Sequence, residues 1–219
     1  MDISFTQAST WEGRTFRNSR SLNVASRAAS DMAFRVSRLL ARRGALVTSI
    51  EPAEPLFGHS VRMEEQLQQG IELIQADLTT ARLDRQFDAV VANMVLLSID
   101  DWESAFEVCA SALRPGGRLI FSIDHPIVSA AHNEWRSEGR LCISNYIQIR
   151  PVPRPVATDF HRRLSDYLNA LRRHGLWFER IEEPTLPSEA LADSDAPPHA
   201  ALLQHLPPFV VVSAVKANQ

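Results

Sequence analysis

Short apolar runs of β-type residues alternate along this chain with segments of helical period, and that alternation leaves few folds open. A strand, a helix and a further strand pair in parallel, because the helix supplies the crossover. The runs expected as strands are 21–25, 45–51, 71–77, 87–93, 118–123, 177–181 and 209–215. Met32, Val36, Leu39 and Leu40 stand at helical spacing, and Gly44 marks the stop. A second helix is expected to open at Asp100, with Glu103 three residues on in a capping-box pattern. Its apolar face carries Trp102, Ala105, Phe106, Cys109 and Leu113, which makes Cys109 a packed thiol rather than a nucleophile. Leu164, Tyr167, Leu168 and Leu171 define a third helix, stopped by Gly175. The expected architecture is α/β, a parallel sheet with helices on both faces.

The 219 residues suit one domain, with a short N-terminal arm over 1–20, a pocket-covering irregular region over 124–160 and a surface excursion over 184–208. No apolar run is long enough to span a bilayer, and the start lacks a signal-peptide pattern. Two cysteines, Cys109 and Cys142, make neither a disulfide framework nor a zinc pattern, so a cytoplasmic protein without metal is expected. A formal net charge of -3 gives no reason to expect nucleic-acid binding. Lys216 is the sole lysine, an arginine bias that fits a GC-rich genome and leaves anionic ligands open.

Leu113-Arg114-Pro115-Gly116-Gly117 and Phe87-Asp88-Ala89-Val90-Val91 resemble two signatures of class I S-adenosylmethionine-dependent methyltransferases, the turn before strand five and strand four. The stretch from His161 to Leu171 resembles the small-molecule type 11 subgroup, which also carries a His-Pro pair like His125-Pro126. That resemblance implies a seven-stranded, mostly parallel Rossmann-like sheet whose last strand is antiparallel. It also implies that Glu51 is the ribose-binding acid and Asp77 the acid beside the adenine. Ligands of such sheets lie at the carboxyl ends of the strands, which adds Ala25, Asn93 and Met94 to the candidate cofactor residues.

One stretch departs from the family. Where it carries Asp-x-Gly-x-Gly-x-Gly, this chain reads Asn23-Val24-Ala25-Ser26-Arg27-Ala28-Ala29, without a glycine or an acid. Side chains there crowd the approach of a ligand to the backbone, and a guanidinium opposes a sulfonium. The expectation that follows is an enzyme that kept the fold and lost methyl transfer, needing no cofactor and catalysing elimination or cyclisation of a small anionic metabolite. Arg27, Arg162 and Tyr146 are its candidate substrate contacts, and His125, His161, Asp166 and Asp124 its candidate catalytic groups. Two alternatives stand beside it: a genuine methyltransferase that still binds S-adenosylmethionine, and a non-catalytic subunit. The short arm leaves room for a homodimer or a partner chain over an open pocket.

Overall fold

The computed structural model describes residues 23–28, 31–130, 142–154, 158–186 and 206–218, with the backbone alone for 23–28 and 31–33. The N-terminal arm, most of the 184–208 excursion and part of the 124–160 region lie outside the described residues.

The elements run β1 (Asn23–Ala28), α1 (Asp31–Arg42), β2 (Leu46–Ile50), α2 (Glu54–Leu67), β3 (Glu72–Ile74), β4 (Phe87–Asn93), a 3-10 turn (Leu96–Ser98), α3 (Trp102–Ala112), β5 (Leu113–Asp124), α4 (Pro126–Ser129), β6 (Arg150–Pro153), β7 (Thr158–His161), α5 (Leu164–Arg173), β8 (Leu176–Glu182) and β9 (Phe209–Lys216). Seven strands form a mixed sheet in the order β3-β2-β1-β4-β5-β9-β8. Ladders among β1 to β5 are parallel, and β9 is antiparallel to both β5 and β8. The strand order reverses between β1 and β4, and at such a switch point the crossovers diverge and leave a crevice at the carboxyl ends. Strands β6 and β7 pair separately as an antiparallel hairpin.

Alternation along the strands builds two apolar layers. Leu119, Phe121 and Ile123 of β5 stand in register with Ala214, Val212 and Val210 of β9. They pack with Ala105, Phe106 and Cys109 of α3 and with Tyr167, Ala170 and Leu171 of α5. Phe106 meets Phe121 edge-on at 5.6 Å between ring centroids, and each such buried ring stabilises the fold by about 1.5–3 kcal/mol. The smaller layer joins Phe34 of α1, Val47 of β2 and Ile71 to Met63 of α2. Val47 pairs with Val24, which pairs with Ala89, so Val47 faces away from Val90 and the larger layer. Helices therefore cover both faces. The sole lysine closes α3: Lys216 Nζ donates to the carbonyls of Ala110 and Leu113, each at 2.7 Å, where a helix C-terminus presents unpaired oxygens.

Several local expectations shift. β1 lies at 23–28 rather than 21–25, because pairing with β2 and β4 on both sides carries it to Ala28. Helix α2 fills a stretch with no sequence-level helix signal; Pro55 stands in its first turn, and a left-handed Gln68 ends it. The N-cap of α3 is Asp101, whose carboxylate accepts the Ser104 N–H at 3.3 Å; the carbonyl of Asp100 is taken by other donors. The 124–160 region contains α4 and the β6–β7 hairpin, where Pro151 and Pro153 fit a ribbon that is paired on one side.

β5 pairs Leu113 with Phe87, then resumes at Arg118 opposite Ala89, so the Arg114–Gly117 segment bulges out of the ladder. A Cβ on Gly117 would lie 2.9 Å from the Arg114 carbonyl oxygen and 3.1 Å from that of Phe87. Both neighbours are backbone and cannot swing away. Gly117→Ala should therefore lower the unfolding free energy by about 1–3 kcal/mol, read from urea denaturation; an unchanged midpoint would show that the bulge relaxes.

Candidate functional site

The crevice over the switch point is formed by the strand ends. Glu51 follows β2 directly and is buried, 9% exposed. Its Oε1 accepts the Ala53 N–H at 2.9 Å, which fixes the carboxylate just ahead of α2, a helix with no side-chain cap of its own. Asp77 is exposed in the turn after β3, where its Oδ1 accepts both the N–H and the hydroxyl of Thr79 at 2.8 Å. Met94 leaves β4 at a positive φ of 53°, an uncommon conformation for a residue with a side chain. The strain is held by β5: Met94 N–H donates to the Ser122 carbonyl at 3.0 Å and lies 3.1 Å from its hydroxyl. That hydroxyl donates to Asn93 Oδ1 at 2.7 Å. Glu51, Asp77, Asn93 and Met94 thus stand at the carboxyl edge of the sheet. Ala25 does not. It pairs with Thr48 and Val90 in the middle of β1, three residues short of the strand's end.

Arg27 is likewise a strand residue, in register with Ile50 and Ala92. The sequence reading placed it in the loop because nothing in Asn23–Ala28 marks the end of the strand. The connection to α1 is residues 29 and 30, outside the described residues.

A narrow cleft lies past the end of β5, under the β6–β7 hairpin. Leu97, Asp124, Ser129, Arg154, Asp159 and His161 are among its lining residues. Arg154 bridges two carboxylates, donating from Nη2 to Asp124 and from Nε to Asp159, each at 2.9 Å. Asp159 also accepts the Ser98 hydroxyl at 2.6 Å. Burial pushes the Asp124 carboxyl up, Arg154 opposes that shift, and Asp159 adds to it. Arg154 stands between two acids, and the other arginine of the lining, Arg162, is turned to backbone carbonyls, so neither guanidinium is free to hold the anionic ligand expected from the sequence.

His161, 1% exposed, is fixed at both nitrogens. Nε2 lies 2.8 Å from the Tyr146 carbonyl, which can only accept, so Nε2 carries the proton. Nδ1 of the neutral ring is then an acceptor, 2.7 Å from the Ser129 hydroxyl. Burial holds the imidazole below its ordinary value near 6.5; the Tyr146 carbonyl and Asp166 oppose this and Arg150 adds to it. The Tyr146 ring meets His161 edge-on at 5.6 Å, so this expected substrate contact packs against the histidine.

The other candidates have architectural positions. His125 accepts the Ile127 N–H on Nδ1 at 3.1 Å as the N-cap of α4, so its Nε2 carries a proton and donates to Glu183 at 2.9 Å. Both nitrogens are engaged outside the cleft. Asp166 accepts the Arg163 N–H in a capping box at the start of α5 and pairs with the Arg163 guanidinium; these contacts outweigh its desolvation and hold its carboxyl low. Arg162 was expected to hold an anion, but it is 2% exposed and donates to the carbonyls of Leu96, Ile99 and Asp100 at 3.2, 2.7 and 3.1 Å. Its guanidinium stacks over Trp102 and Phe160, with its carbon 5.1 and 4.9 Å from their ring centroids. It clamps the β4–α3 connection onto the end of β7. Sequence reasoning missed Ser129, Arg154 and Asp159: Arg154 and Asp159 lie five residues apart in no recognisable motif, and their other partners, like the His161 partner of Ser129, are remote in the chain.

A family model described as a methyltransferase domain, of the type 11 family, matches residues 33–121, from α1 into β5. A ubiquinone biosynthesis O-methyltransferase of Stutzerimonas stutzeri is 36% identical over 92 residues, 40% of this chain and 38% of that protein. The matched part thus spans under two fifths of this curated relative's length. An S-adenosylmethionine-dependent methyltransferase of Mesorhizobium loti superposes with a TM-score of 0.75 at 26% identity, covering 90% of this chain and 91% of its own. A second such structure, from Listeria monocytogenes and described as putative, gives 0.70 at 16% identity over 91% and 92%. The chain belongs to the class I S-adenosylmethionine-dependent methyltransferase superfamily. Within this methyltransferase fold, the sequence match covers most of the switch-point crevice and stops before the hairpin cleft. No helix among the described residues is long and apolar enough to cross a membrane. No group of three or more His, Cys, Asp or Glu among them could hold a metal ion.

Arg162→Met keeps the packing volume but removes the side-chain donor from three inward carbonyls, of which Asp100 keeps the Trp102 N–H. It should lower the unfolding free energy by about 2–4 kcal/mol, and a loss below about 0.5 kcal/mol in urea denaturation would show that water replaces the clamp. His161 sets a pH dependence. Its folded pKa lies below the unfolded value near 6.5, so the unfolded chain takes up the proton first as pH falls. The imidazole's contribution is present above about pH 6.5 and is lost below it. Urea midpoints measured from about pH 8 to about pH 5.5 should fall more steeply for the wild type than for His161→Gln; parallel slopes would mean that the ring titrates freely.

Proposed function

We propose that this protein is an S-adenosylmethionine-dependent methyltransferase acting on a small molecule. The observation that carries the reading is the buried Glu51 carboxylate at the end of β2, beside the switch-point crevice and in line with Asn93 and the strained Met94 turn. A carboxylate in that place can accept hydrogen bonds from a ribose diol, and Asp77 stands where an adenine would lie. The buried Glu51 carboxylate beside the crevice also favours a ligand that carries a sulfonium. This chemistry fits the group, and when bound it supplies an activated methyl. The residues around it supply orientation: Met94 fixes where β4 ends, and Asn93 is locked to Ser122.

Elimination or cyclisation without a cofactor loses its main support. That reading depended on Arg27 standing in the cofactor loop, and Arg27 is paired on both sides within β1. The similarity to proteins named as methyltransferases weighs on the same side. S-adenosylmethionine accordingly replaces the expectation of no cofactor.

Titration calorimetry with S-adenosylmethionine and S-adenosylhomocysteine tests this. Binding in the micromolar range is expected, weakened about 10- to 100-fold by Glu51→Ala through loss of a charged hydrogen-bond partner. Absence of binding to either compound would sink the reading.

A further inference from the structure

We propose that the outward face of α1 is a docking surface for a membrane of anionic phospholipids. The proposal goes beyond the methyltransferase reading and does not rest on it. Phe34 and Ser37 of α1 are buried, at 4% and 0% exposure, and Leu40 and Ala41 stand beside them on the smaller apolar layer. A helix turns by about 100° per residue, so Arg35, Arg38, Leu39 and Arg42 take the opposite side. Arg43, in the turn that ends the helix, stands four residues past Leu39 and extends the same face. Arg42 and Arg43 are exposed, and Arg35 and Arg38 are partly exposed. Asp31 is the single acid of α1.

Elsewhere arginines are matched across elements: Arg114 with Asp88, Arg118 with Glu179, Arg154 with Asp124 and Arg173 with Glu103. Arg38, Arg42 and Arg43 reach no carboxylate among the described residues, and Arg38 Nε finds no hydrogen-bond partner there. The Arg38 guanidinium carbon lies 5.7 Å from the centroid of the Phe34 ring, so a ring rather than an acid holds that charge in place. The formal net charge of -3 does not cancel the face. Screening confines each charge to about 8 Å at physiological salt, so acids on the far side of the molecule contribute little.

A row of guanidinia calls for a polyanion. A nucleic-acid backbone and a bilayer of anionic headgroups both supply one, and Leu39 decides between them. It is 38% exposed, and Arg35, Arg42 and Arg43 are its neighbours at three and four residues. Phosphodiester contacts offer an apolar side chain nothing. At a bilayer the guanidinia meet lipid phosphates while the leucine enters the edge of the acyl region. Each arginine beside an anionic surface strengthens binding about fivefold, so Arg38, Arg42 and Arg43 together strengthen it about 100-fold.

The test is co-sedimentation of the full chain with vesicles of phosphatidylglycerol and phosphatidylcholine in equal parts, against vesicles of phosphatidylcholine alone. Binding to the first and not to the second is expected, falling as sodium chloride is raised. Arg42→Gln should weaken it about fivefold. Arg82→Gln, the same loss of charge at an exposed site in the β3–β4 connection, should leave it unchanged. Leu39→Ser should weaken it although no charge is lost. Thermal midpoints confirm that these surface variants fold. A wild type that stays in the supernatant with phosphatidylglycerol overturns the proposal, and that measurement depends on no variant. Equal binding by Arg42→Gln and Arg82→Gln also overturns it, as does full binding by Leu39→Ser. Tighter binding to a DNA or RNA oligonucleotide, lost in Arg42→Gln and kept in Leu39→Ser, would overturn it in favour of a nucleic-acid face.

Discussion

The guanidinium of Arg162 is the interaction on which the hairpin side of the molecule depends. A buried cation is costly unless its donors are satisfied. Here the partners are main-chain carbonyls and the faces of Trp102 and Phe160. Carbonyls cannot change rotamer, so the clamp fixes backbone to backbone: the turn after β4 is held to the end of β7. Ser98 and Asp159 then come within 2.6 Å, and Asp159 shares Arg154 with Asp124 at the end of β5. Three segments from different parts of the chain are thereby brought to one cleft. Satisfying one buried charge thus settles the shape of a cleft that Arg162 itself helps to line.

The switch-point crevice is built differently. Its residues follow from the parallel sheet, whose strand order reverses between β1 and β4 and so leaves a crevice without any special contact. What has to be added is precision at the strand ends. Met94 accepts a left-handed backbone, at a cost of order 1–3 kcal/mol, because Ser122 on the neighbouring strand satisfies its N–H. Glu51 is held through Ala53, a contact that also begins α2. Each polar group in the crevice is thus positioned by an element it helps to terminate or to start, which makes the site hard to separate from the fold.

Legibility in the sequence divides along the same line. Strand β4 can be read residue for residue, since Phe87–Asn93 is an apolar run in a chain of alternating elements, and the acids at the ends of β2 and β3 follow from it. β1 is read two to three residues early. Asn23–Ala28 holds small and polar residues without a glycine to mark its end, and only pairing with β2 and β4 locates it. That error put Arg27 in a loop and generated the reading without a cofactor. Helix α2 is obscured by Pro55 and Gly58, residues that usually punctuate rather than build a helix. Of the hairpin cleft, Asp124, His161 and Arg162 could be named as candidates, but the contacts that assemble it could not be read. Ser129 meets a histidine 32 residues away and Asp124 an arginine 30 residues away, and no local pattern encodes such contacts.

The two sides also differ electrically. Glu51 and Asp77 give the crevice an acidic edge, while the cleft holds Arg154 between Asp124 and Asp159. A guanidinium shared by two acids is already compensated, so the field that would select a cation is the one at the acidic edge. His161 belongs to the architecture of the other side. It is 1% exposed, with one ring nitrogen at the Tyr146 carbonyl and the other at the Ser129 hydroxyl. Those two contacts tie the segment before β6 and the end of α4 to the last residue of β7, so the ring does for the hairpin what the Arg162 guanidinium does for the turn after β4: one buried side chain joins segments that are distant in the chain.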